Sequence, residues 1–163
     1  MERVAVIGCG GAGKTWFATR LAELTGLPLV HLDTEYWRGT RIRPPTADWE
    51  RRHEELVAEP LWILDGNYGG TMAARFARAD TIVFLDLPTL TCIRGALSRP
   101  SQGFPRVDLG FLRWIWRYRE TRRPGIAEQL DRAPGTAVVL ASRNEAAAWL
   151  SRLSLPGAES FSP

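Results

Sequence analysis

Short apolar runs recur along the chain, and most of them are rich in Val, Ile and Leu. Five runs predict β-strands, at residues 4–7, 29–32, 61–64, 81–85 and 136–140. Segments with helical spacing separate most of them, such as residues 14–24, where Phe17, Leu21 and Leu24 share one predicted face. Near-continuous apolar strands that alternate with helices are typical of a parallel sheet covered on both faces. The pattern therefore predicts an α/β fold, a five-stranded parallel sheet sandwiched by helices.

Proline marks the start of one predicted helix. Residues 48–57 have helical spacing and follow the pair Pro44-Pro45, which stops any preceding helix. Thr46 and Asp48 are both residue types that cap helix N-termini through a side-chain oxygen. Either of them is therefore the predicted N-cap.

A second helix is predicted over residues 108–122, ending before Pro124. The clearest loop precedes it at residues 99–107, and the Ser-, Gly- and Pro-rich tail at residues 154–163 is predicted to be flexible. We see no internal repeat. A single domain over residues 1–153 is therefore expected.

Length and composition support one domain. The chain has 163 residues, of which 45% are hydrophobic, enough for a sizeable core. The formal net charge of +3 suits a protein that meets anionic metabolites, but it is weaker than a nucleic-acid-binding arm would give. Cys9 and Cys92 are too few for a disulfide framework, and no signal-peptide core follows Met1. A cytoplasmic protein is therefore expected, and since no apolar run approaches the roughly 20 residues of a membrane span, no membrane role is expected.

The segment GCGGAGKT, residues 8–15, contains Lys14, the only lysine in the chain. It fits the phosphate-binding pattern G-x-x-x-x-G-K-[ST] and lies between a predicted strand and a predicted helix. Its glycines let backbone N–H groups turn toward phosphate oxygens. Lys14 is predicted to reach the β- and γ-phosphates of ATP, where the wide fork of an arginine would crowd the loop. Thr15 is predicted to bind Mg²⁺.

The predicted nucleotide contacts of this loop are Gly8, Gly10, Gly11, Ala12, Gly13, Lys14, Thr15 and Trp16. The alternative is a glycine-rich turn that binds no ligand. The match of motif and context favours the phosphate loop.

Three apolar runs end in aspartate, at Asp33, Asp65 and Asp86. Because ligands bind at the carboxyl ends of parallel strands, all three are candidates to face the phosphate loop. We predict that Asp65 helps Thr15 to hold Mg²⁺. Asp33 is predicted nearer the acceptor, where it accepts a proton if the acceptor is a hydroxyl. Asp86 is predicted to be structural, and a capping or turn role stays open for the other two.

Eight arginines stand between residues 94 and 123, against only two acids. Arg113 and Arg117 are four residues apart, as are Arg119 and Arg123, so each pair is placed to clamp a polyphosphate from one helix face. The arginines predicted to act in phosphoryl transfer are Arg99, Arg117, Arg119 and Arg123. The alternative is a solvated basic face or a nucleic-acid-binding patch.

Tyr36, Trp37 and Trp49 flank the basic segment RGTRIRPPT. Tyr36 and Trp37 are predicted to stack on an acceptor substrate, with packing in the core or an interface as the alternative. His31 and His53 are isolated in the sequence, so no zinc site is predicted.

Several segments carry a resemblance to a known family: LDGNYGGTM (residues 64–72), DTIVFLDLP, FLRWIWRY and RRP, together with GCGGAGKT and HLD. Over about residues 3–150 the chain resembles the DNA topology modulation proteins, small P-loop proteins related to adenylate kinase. The resemblance implies a P-loop NTPase fold of the nucleoside and nucleotide kinase type. It also implies that Gly66, Asn67 and Tyr68 lie at the acceptor site. Arg99 and the arginines after Trp116 would close over ATP, and Ser142 and Arg143 would border its base.

An acceptor-binding insert is predicted at about residues 34–58, and a lid, shorter than in the family, at about residues 99–108. These observations predict a phosphotransferase that uses Mg²⁺ and moves the ATP γ-phosphoryl group to a nucleotide or a small hydroxyl metabolite. The alternative is a nucleotide-dependent regulatory or nucleic-acid-associated protein with ATPase activity or binding only. The acceptor, the oligomeric state and the choice between ATP and GTP stay open.

Overall fold

The computed structural model describes residues 1–39, 42–98 and 107–154. Five strands form one sheet in the order β2-β3-β1-β4-β5, and every neighbouring pair is parallel. The strands are β1 (Arg3–Gly8), β2 (Leu29–His31), β3 (Trp62–Asp65), β4 (Thr81–Leu85) and β5 (Thr136–Leu140). The predicted five-stranded parallel sheet is confirmed.

Eight helices occur in the described part of the chain. They are α1 (Lys14–Thr25), α2 (Leu32–Trp37), α3 (Thr46–Ala58), α4 (Gly69–Arg78), α5 (Thr89–Leu97), α6 (Leu109–Thr121), α7 (Arg123–Arg132) and α8 (Arg143–Leu153). None of these helices is long and apolar enough to cross a bilayer.

The strand order places the helices on two faces. The connection from β1 to β2 runs one way along the sheet, and the later connections run the other way. Because such crossovers are right-handed, α1 lies on one face and α3, α4 and α7 lie on the opposite face. Consistent with this, α1 packs against α8, and α4 packs against α3 and α7. The direction of the chain reverses beside β1, where ligands bind in this kind of sheet.

The core surrounds the central strands. The side chains of β1 from Val4 to Ile7 are fully buried, and so are most of those in β3 and β4. The edge strand β5 departs from the prediction of a sheet covered on both faces, because Val139 is 52% exposed. The strand lies at the edge of the sheet. Among the described strands it pairs with β4 on one side only, and α8 packs against it, so fewer side chains cover β5 than cover a central strand.

Two predicted boundaries are wrong near the second strand. β2 ends at His31, and Leu32 begins α2, so Asp33 lies in the first turn of a helix and not at the end of a strand. Helix α3 begins at Thr46, and Pro45 occupies the N-cap position. Neither Thr46 nor Asp48 is the cap, because both already lie inside the first helical turn.

The second predicted helix also differs at its end. Helix α6 has Asp108 as its N-cap, and the Asp108 carboxylate accepts a hydrogen bond from the Phe111 N–H. Helix α7 then begins at Arg123, with Pro124 in its first turn, where the missing proline N–H leaves no helical hydrogen bond unmade. Pro124 therefore starts a helix as well as ending one.

One residue of the first predicted helix face is also misplaced. Leu24 is 43% exposed, and Ala18 joins Phe17 and Leu21 on the buried face of α1. Most of the predicted loop and lid, with Arg99, falls in residues 99–106, outside the described residues. Residues 155–163 of the predicted tail lie outside them too.

Candidate active site

The phosphate loop connects β1 to α1 and contains two glycines in a left-handed backbone conformation. Gly11 has φ +78° and Gly13 has φ +95°, conformations that favour glycine. A Cβ at Gly11 would overlap the carbonyl oxygen of Cys92 on α5. The loop therefore packs directly against the α5 backbone. The Lys14 Nζ curls back over the loop and donates to the Cys9 carbonyl oxygen at 3.1 Å.

Asp65, at the end of β3, lies beside this loop. Its side chain is only 4% exposed, and its Oδ2 accepts a hydrogen bond from the Thr15 hydroxyl at 3.0 Å. Its Oδ1 is buried and has no hydrogen-bond partner among the described residues. The structure thus brings together the two residues predicted to hold Mg²⁺.

The sequence indicated that His31 is isolated, but in the structure His31 contacts Asp65. His31, at the end of β2, is the register partner of Asp65, at the end of β3, and the His31 Nδ1 lies 2.9 Å from the Asp65 Oδ2. The hydrogen bond with Asp65 raises the pKa of His31 above its ordinary value, against a smaller opposing effect of burial. The sequence signal for this contact was the position of both residues at the carboxyl ends of adjacent strands.

The segment after β3 joins the phosphate loop to Asp33. The Asn67 Oδ1 accepts a hydrogen bond from the Gly8 N–H at 3.1 Å, and the Tyr68 hydroxyl donates to the Asp33 Oδ1 at 2.7 Å. Burial and the neighbouring Asp33 raise the pKa of Tyr68, so the phenol stays a donor. Tyr68 itself has φ 39°, an uncommon conformation for a residue with a side chain.

These groups surround a cavity of about 240 Å³, which we call the acceptor chamber. Its lining residues are Gly10, Lys14, Thr15, Asp33, Asp65, Gly66, Asn67, Tyr68, Phe111 and Trp114. The chamber thus contains both predicted Mg²⁺ ligands and four of the six predicted acceptor residues, whereas none of the described arginines predicted to act in phosphoryl transfer lines it.

Phe111 and Trp114, from α6, form a wall of the chamber that the sequence analysis missed. Their rings lie 5.7 Å apart and almost parallel, 9° from coplanar orientation. A Cβ at Gly10 would come within 2.6 Å of the Phe111 ring, so the absence of a side chain there lets α6 approach the loop. Local sequence does not reveal this contact, because the place of Phe111 beside the loop depends on how α6 docks.

A second cavity, of about 350 Å³, lies on the other side of the phosphate loop. It is lined by Ala12, Gly13, Trp16, Phe17, Leu85, Leu87, Arg143 and Ala146. It contains Trp16 and Arg143, two residues predicted to contact the nucleotide. Ser142 has a different position: it is the N-cap of α8, and its hydroxyl accepts a hydrogen bond from the Glu145 N–H.

Two of the predicted catalytic arginines contact Asp86. The Arg123 Nε lies 2.7 Å from the Asp86 Oδ2, and an Arg119 nitrogen lies 3.7 Å from the same oxygen. Asp86 follows β4 and is only 7% exposed. Asp86 thus contacts the end of α6 and the start of α7, an arrangement consistent with the structural role predicted for it. Arg117 is exposed on α6 and does not line the chamber.

The predicted acceptor-binding aromatics lie behind the chamber wall. Tyr36 packs against Tyr68 and Trp49, with ring centroids 4.8 and 5.1 Å apart. Trp37 packs edge-on against Tyr36 and is 38% exposed. Neither Tyr36 nor Trp37 lines the chamber. They support Tyr68, which does.

One buried basic residue behind Asp65, Arg75, was also missed. Arg75 on α4 is fully buried, and its Nη2 donates to the Asn67 carbonyl oxygen at 2.5 Å. Burial lowers the pKa of Arg75 to about 10, with a smaller raising effect from Asp65. The sequence signal was the position of Arg75 within an otherwise apolar helical face formed with Met72 and Phe76.

A P-loop between β1 and α1, with an aspartate at the end of the adjacent β3, defines an α/β protein with the P-loop kinase fold. No family model and no curated protein matches the sequence. Solved structures do match. A shikimate kinase from Acinetobacter baumannii, in complex with shikimate, has a TM-score of 0.66 at 19% identity and covers 94% of this chain and 90% of its own.

Two further kinases match over similar lengths. A sugar kinase from Janibacter sp. has a TM-score of 0.55 at 19% identity, over 93% of this chain and 91% of its own. A deoxyadenosine kinase from M. mycoides has a TM-score of 0.54 at 12% identity, over 93% of this chain and 97% of its own. At these identities the similarity shows the fold, and that fold is the one predicted.

Proposed function

We propose that the protein is an ATP-dependent kinase that transfers the γ-phosphoryl group to a small acceptor. One observation carries the proposal: Lys14, the Thr15–Asp65 pair and Asp33 all line the same chamber. A nucleotide-binding turn without transfer chemistry has no need of a second carboxylate, Asp33, in the same chamber. The kinase fold of the matching structures supports the proposal.

The donor nucleotide is proposed to lie along the phosphate loop. Lys14 would leave the Cys9 carbonyl oxygen and contact the β- and γ-phosphates, together with the loop N–H groups and the N-terminus of α1. The base would enter the cavity lined by Trp16 and Arg143, whose planar side chains provide stacking surfaces. Ser142 would contribute at the base indirectly, because it caps α8, the helix that begins at Arg143.

The residues present fit Mg²⁺. This ion takes oxygen ligands, keeps several waters and is held by one or two protein groups plus phosphates. The Thr15 hydroxyl and the Asp65 carboxylate provide such oxygens, and the buried Asp65 Oδ1 has no other partner among the described residues. When bound, the ion would neutralise charge that develops on the phosphates.

Asp33 is proposed as the group that takes the acceptor proton. Its Oδ1 is oriented by the Tyr68 hydroxyl, which leaves the other oxygen to accept from an acceptor hydroxyl. The proton passes to Asp33 as the acceptor oxygen bonds to the γ-phosphorus and the bond to ADP breaks. Arg119 and Arg123 are proposed to stabilise the transferred charge from their position beside Asp86. The same role for Arg99 and Arg117 remains a prediction.

Several finer points belong to the same proposal. The segment at residues 34–58 would support the acceptor site through Tyr36 and Trp37, and residues 99–108 would form a short lid. The resemblance to DNA topology modulation proteins supports a kinase of this type, acting in the cytoplasm. It supports no nucleic-acid contact.

The test compares wild type with Lys14→Ala, using Arg20→Ala on the exposed face of α1 as the control. We expect ATP affinity to fall roughly 10- to 100-fold in Lys14→Ala, because charge-assisted hydrogen bonds to phosphate are lost. The control should bind ATP as wild type does. Unchanged ATP affinity in Lys14→Ala would refute the phosphate-loop assignment.

Turnover is measured with Mg²⁺ across a panel of nucleosides, nucleoside monophosphates and sugars, following ADP and the phosphorylated product separately. Product above the background without acceptor supports a kinase. ATP binding without turnover on any acceptor would favour the regulatory alternative instead.

A further inference from the structure

We infer that the acceptor chamber selects an uncharged, hydroxyl-bearing ring compound over a phosphorylated or carboxylated one. The inference rests on the proposed function, since it names the class of acceptor that the same site would take. Four features carry it: the charge of the chamber, the ion pairs of two arginines, the aromatic walls of the chamber and its volume.

The chamber is poor in positive charge. Among the described residues that line it, Lys14 is the single cation, whereas Asp33 and Asp65 are both carboxylates. In the proposed function Lys14 is engaged by the ATP phosphates. An anionic acceptor would then face Asp33 and the negative charge of the bound nucleotide, and like charges at close range repel. Kinases that hold a carboxylate or phosphate acceptor normally do so with a guanidinium or ammonium group.

Two described arginines, Arg52 and Arg123, are already paired with acids. Arg52, on α3, bonds to Glu35 and Glu55 at 2.7 and 2.9 Å. On the α6 side, Arg123 is held by Asp86. Because these ion pairs would have to break before either arginine could bind an anionic acceptor directly, Arg52 and Arg123 offer it no ready site.

Two separate segments of the chain contribute aromatic side chains to the walls of the chamber. Phe111 and Trp114 present nearly parallel rings from α6, and Tyr68 faces the same space from the segment after β3. Tyr68 is itself held by contacts with Tyr36 and Trp49 at 4.8 and 4.9 Å. Flat, supported aromatic surfaces favour a ring whose faces are largely apolar.

The size and polar groups of the chamber complete the description. A volume of about 240 Å³ corresponds to roughly eight water molecules, enough for a substituted ring. The polar groups available to such a ring are the Asp33 carboxylate and the Asn67 side chain. Asp33 is a hydrogen-bond acceptor, which matches a hydroxyl and mismatches a second anion.

The test measures binding of matched probe pairs in the presence of Mg²⁺ and a non-hydrolysable ATP analogue. The pairs are methyl glucoside with methyl glucuronide, inositol with quinate, and thymidine with thymidine monophosphate; shikimate is added as a further anionic probe. We expect at least one neutral member to bind at least tenfold more tightly than its anionic partner, as measured by calorimetry. The anionic member binding equally well or better would overturn the inference, and so would no binding of either member up to about 10 mM.

Two variants separate charge from packing. Asp33→Asn should narrow the preference for the neutral member severalfold, with Asp48→Asn on α3 as the control for a carboxylate outside the chamber. Trp114→Leu should weaken binding of the neutral probe about tenfold, whereas Trp116→Leu, on the exposed side of the same helix, should not change it. An unchanged preference in Asp33→Asn would contradict the charge argument even if Trp114→Leu weakened binding.

The outcomes distinguish this inference from the proposed function. Binding of the ATP analogue in the same titrations reports the donor site independently of the acceptor. Phosphorylation of an anionic acceptor with normal ATP binding would refute the inference and leave the kinase proposal standing. Loss of the kinase proposal would show instead as ATP affinity that does not depend on Lys14.

Discussion

The free energy of unfolding should fall as the pH is lowered from 6.5 to 5, and His53 should cause the decrease. His53 lies on α3 and is only 1% exposed, with Trp49 packed at 5.9 Å between ring centroids. Neither of its ring nitrogens has a hydrogen-bond partner among the described residues. Burial, and to a lesser extent the nearby Arg75 guanidinium, lower the pKa of His53 to about 4.

The sign and size follow from proton linkage. In the unfolded chain a histidine takes up a proton below about pH 6.5, whereas the native protein resists protonation of His53 until about pH 4. Between these values the unfolded state binds more protons, so native stability is lost as the pH falls. From pH 6.5 to pH 5 the loss is roughly 1.5 kcal/mol, or a melting temperature lower by about 3–6 °C for a domain of this size.

The assay is urea unfolding followed by tryptophan fluorescence at pH 6.5 and pH 5, for wild type and His53→Leu. Leucine removes the titrating ring and keeps an apolar side chain, so the acid-dependent loss should disappear. His31→Gln is the control. The pKa of His31 is raised by Asp65, so its stabilising effect is present below pH 6.5 and lost as the pH rises through its native pKa.

The effect of Asp80 on stability can also be separated from that of His53. The pKa of Asp80 is lowered, so Asp80 titrates below the pH range of the assay. An acid-dependent loss of stability that persists in full in His53→Leu would refute the reasoning.

Two other predictions concern the packing of the phosphate loop and its surroundings. Gly11→Ala should lower the free energy of unfolding by more than about 2 kcal/mol, because the new Cβ overlaps the Cys92 carbonyl oxygen and the φ of Gly11 is +78°. Gly26→Ala, with φ +71° and open space, should cost only the backbone strain, and equal losses would contradict the overlap. Asp86→Asn should cost about 1–2 kcal/mol by leaving Arg123 without its carboxylate. A double-mutant cycle with Arg123→Gln measures that coupling, and additive effects would show that the pair contributes nothing.

The positions of the strands along the chain, and of helices α1, α3 and α6, followed closely from local pattern. Each strand is a short run rich in apolar residues, so the runs predicted at residues 81–85 and 136–140 match β4 and β5. The phosphate loop was equally local, because glycine positions and a lysine within eight residues define its chemistry. The predicted end of the second strand was wrong because Leu32 is fully buried, and a buried leucine is compatible both with the end of a strand and with the start of a helix.

The contacts of the site were less predictable than its members. Asp65 and Thr15 were both named, but the bond of His31 to Asp65 depends on the register of β2 against β3. The link between Arg123 and Asp86 joins residues 37 positions apart. Such pairs form only after the helices dock, and the sequence spacing of the two residues carries no information about it.

By itself, the sequence determined the class of fold and the phosphate loop, because both arise from residues close together in the chain: apolar strands, helical spacing and GCGGAGKT. Only the tertiary structure decided what surrounds the loop. Helix α6 brings Phe111 and Trp114 against Gly10, and Tyr68 reaches Asp33 from another connection. The chamber, with its charge and its aromatic walls, exists because several distant connections end at the same edge of a parallel sheet.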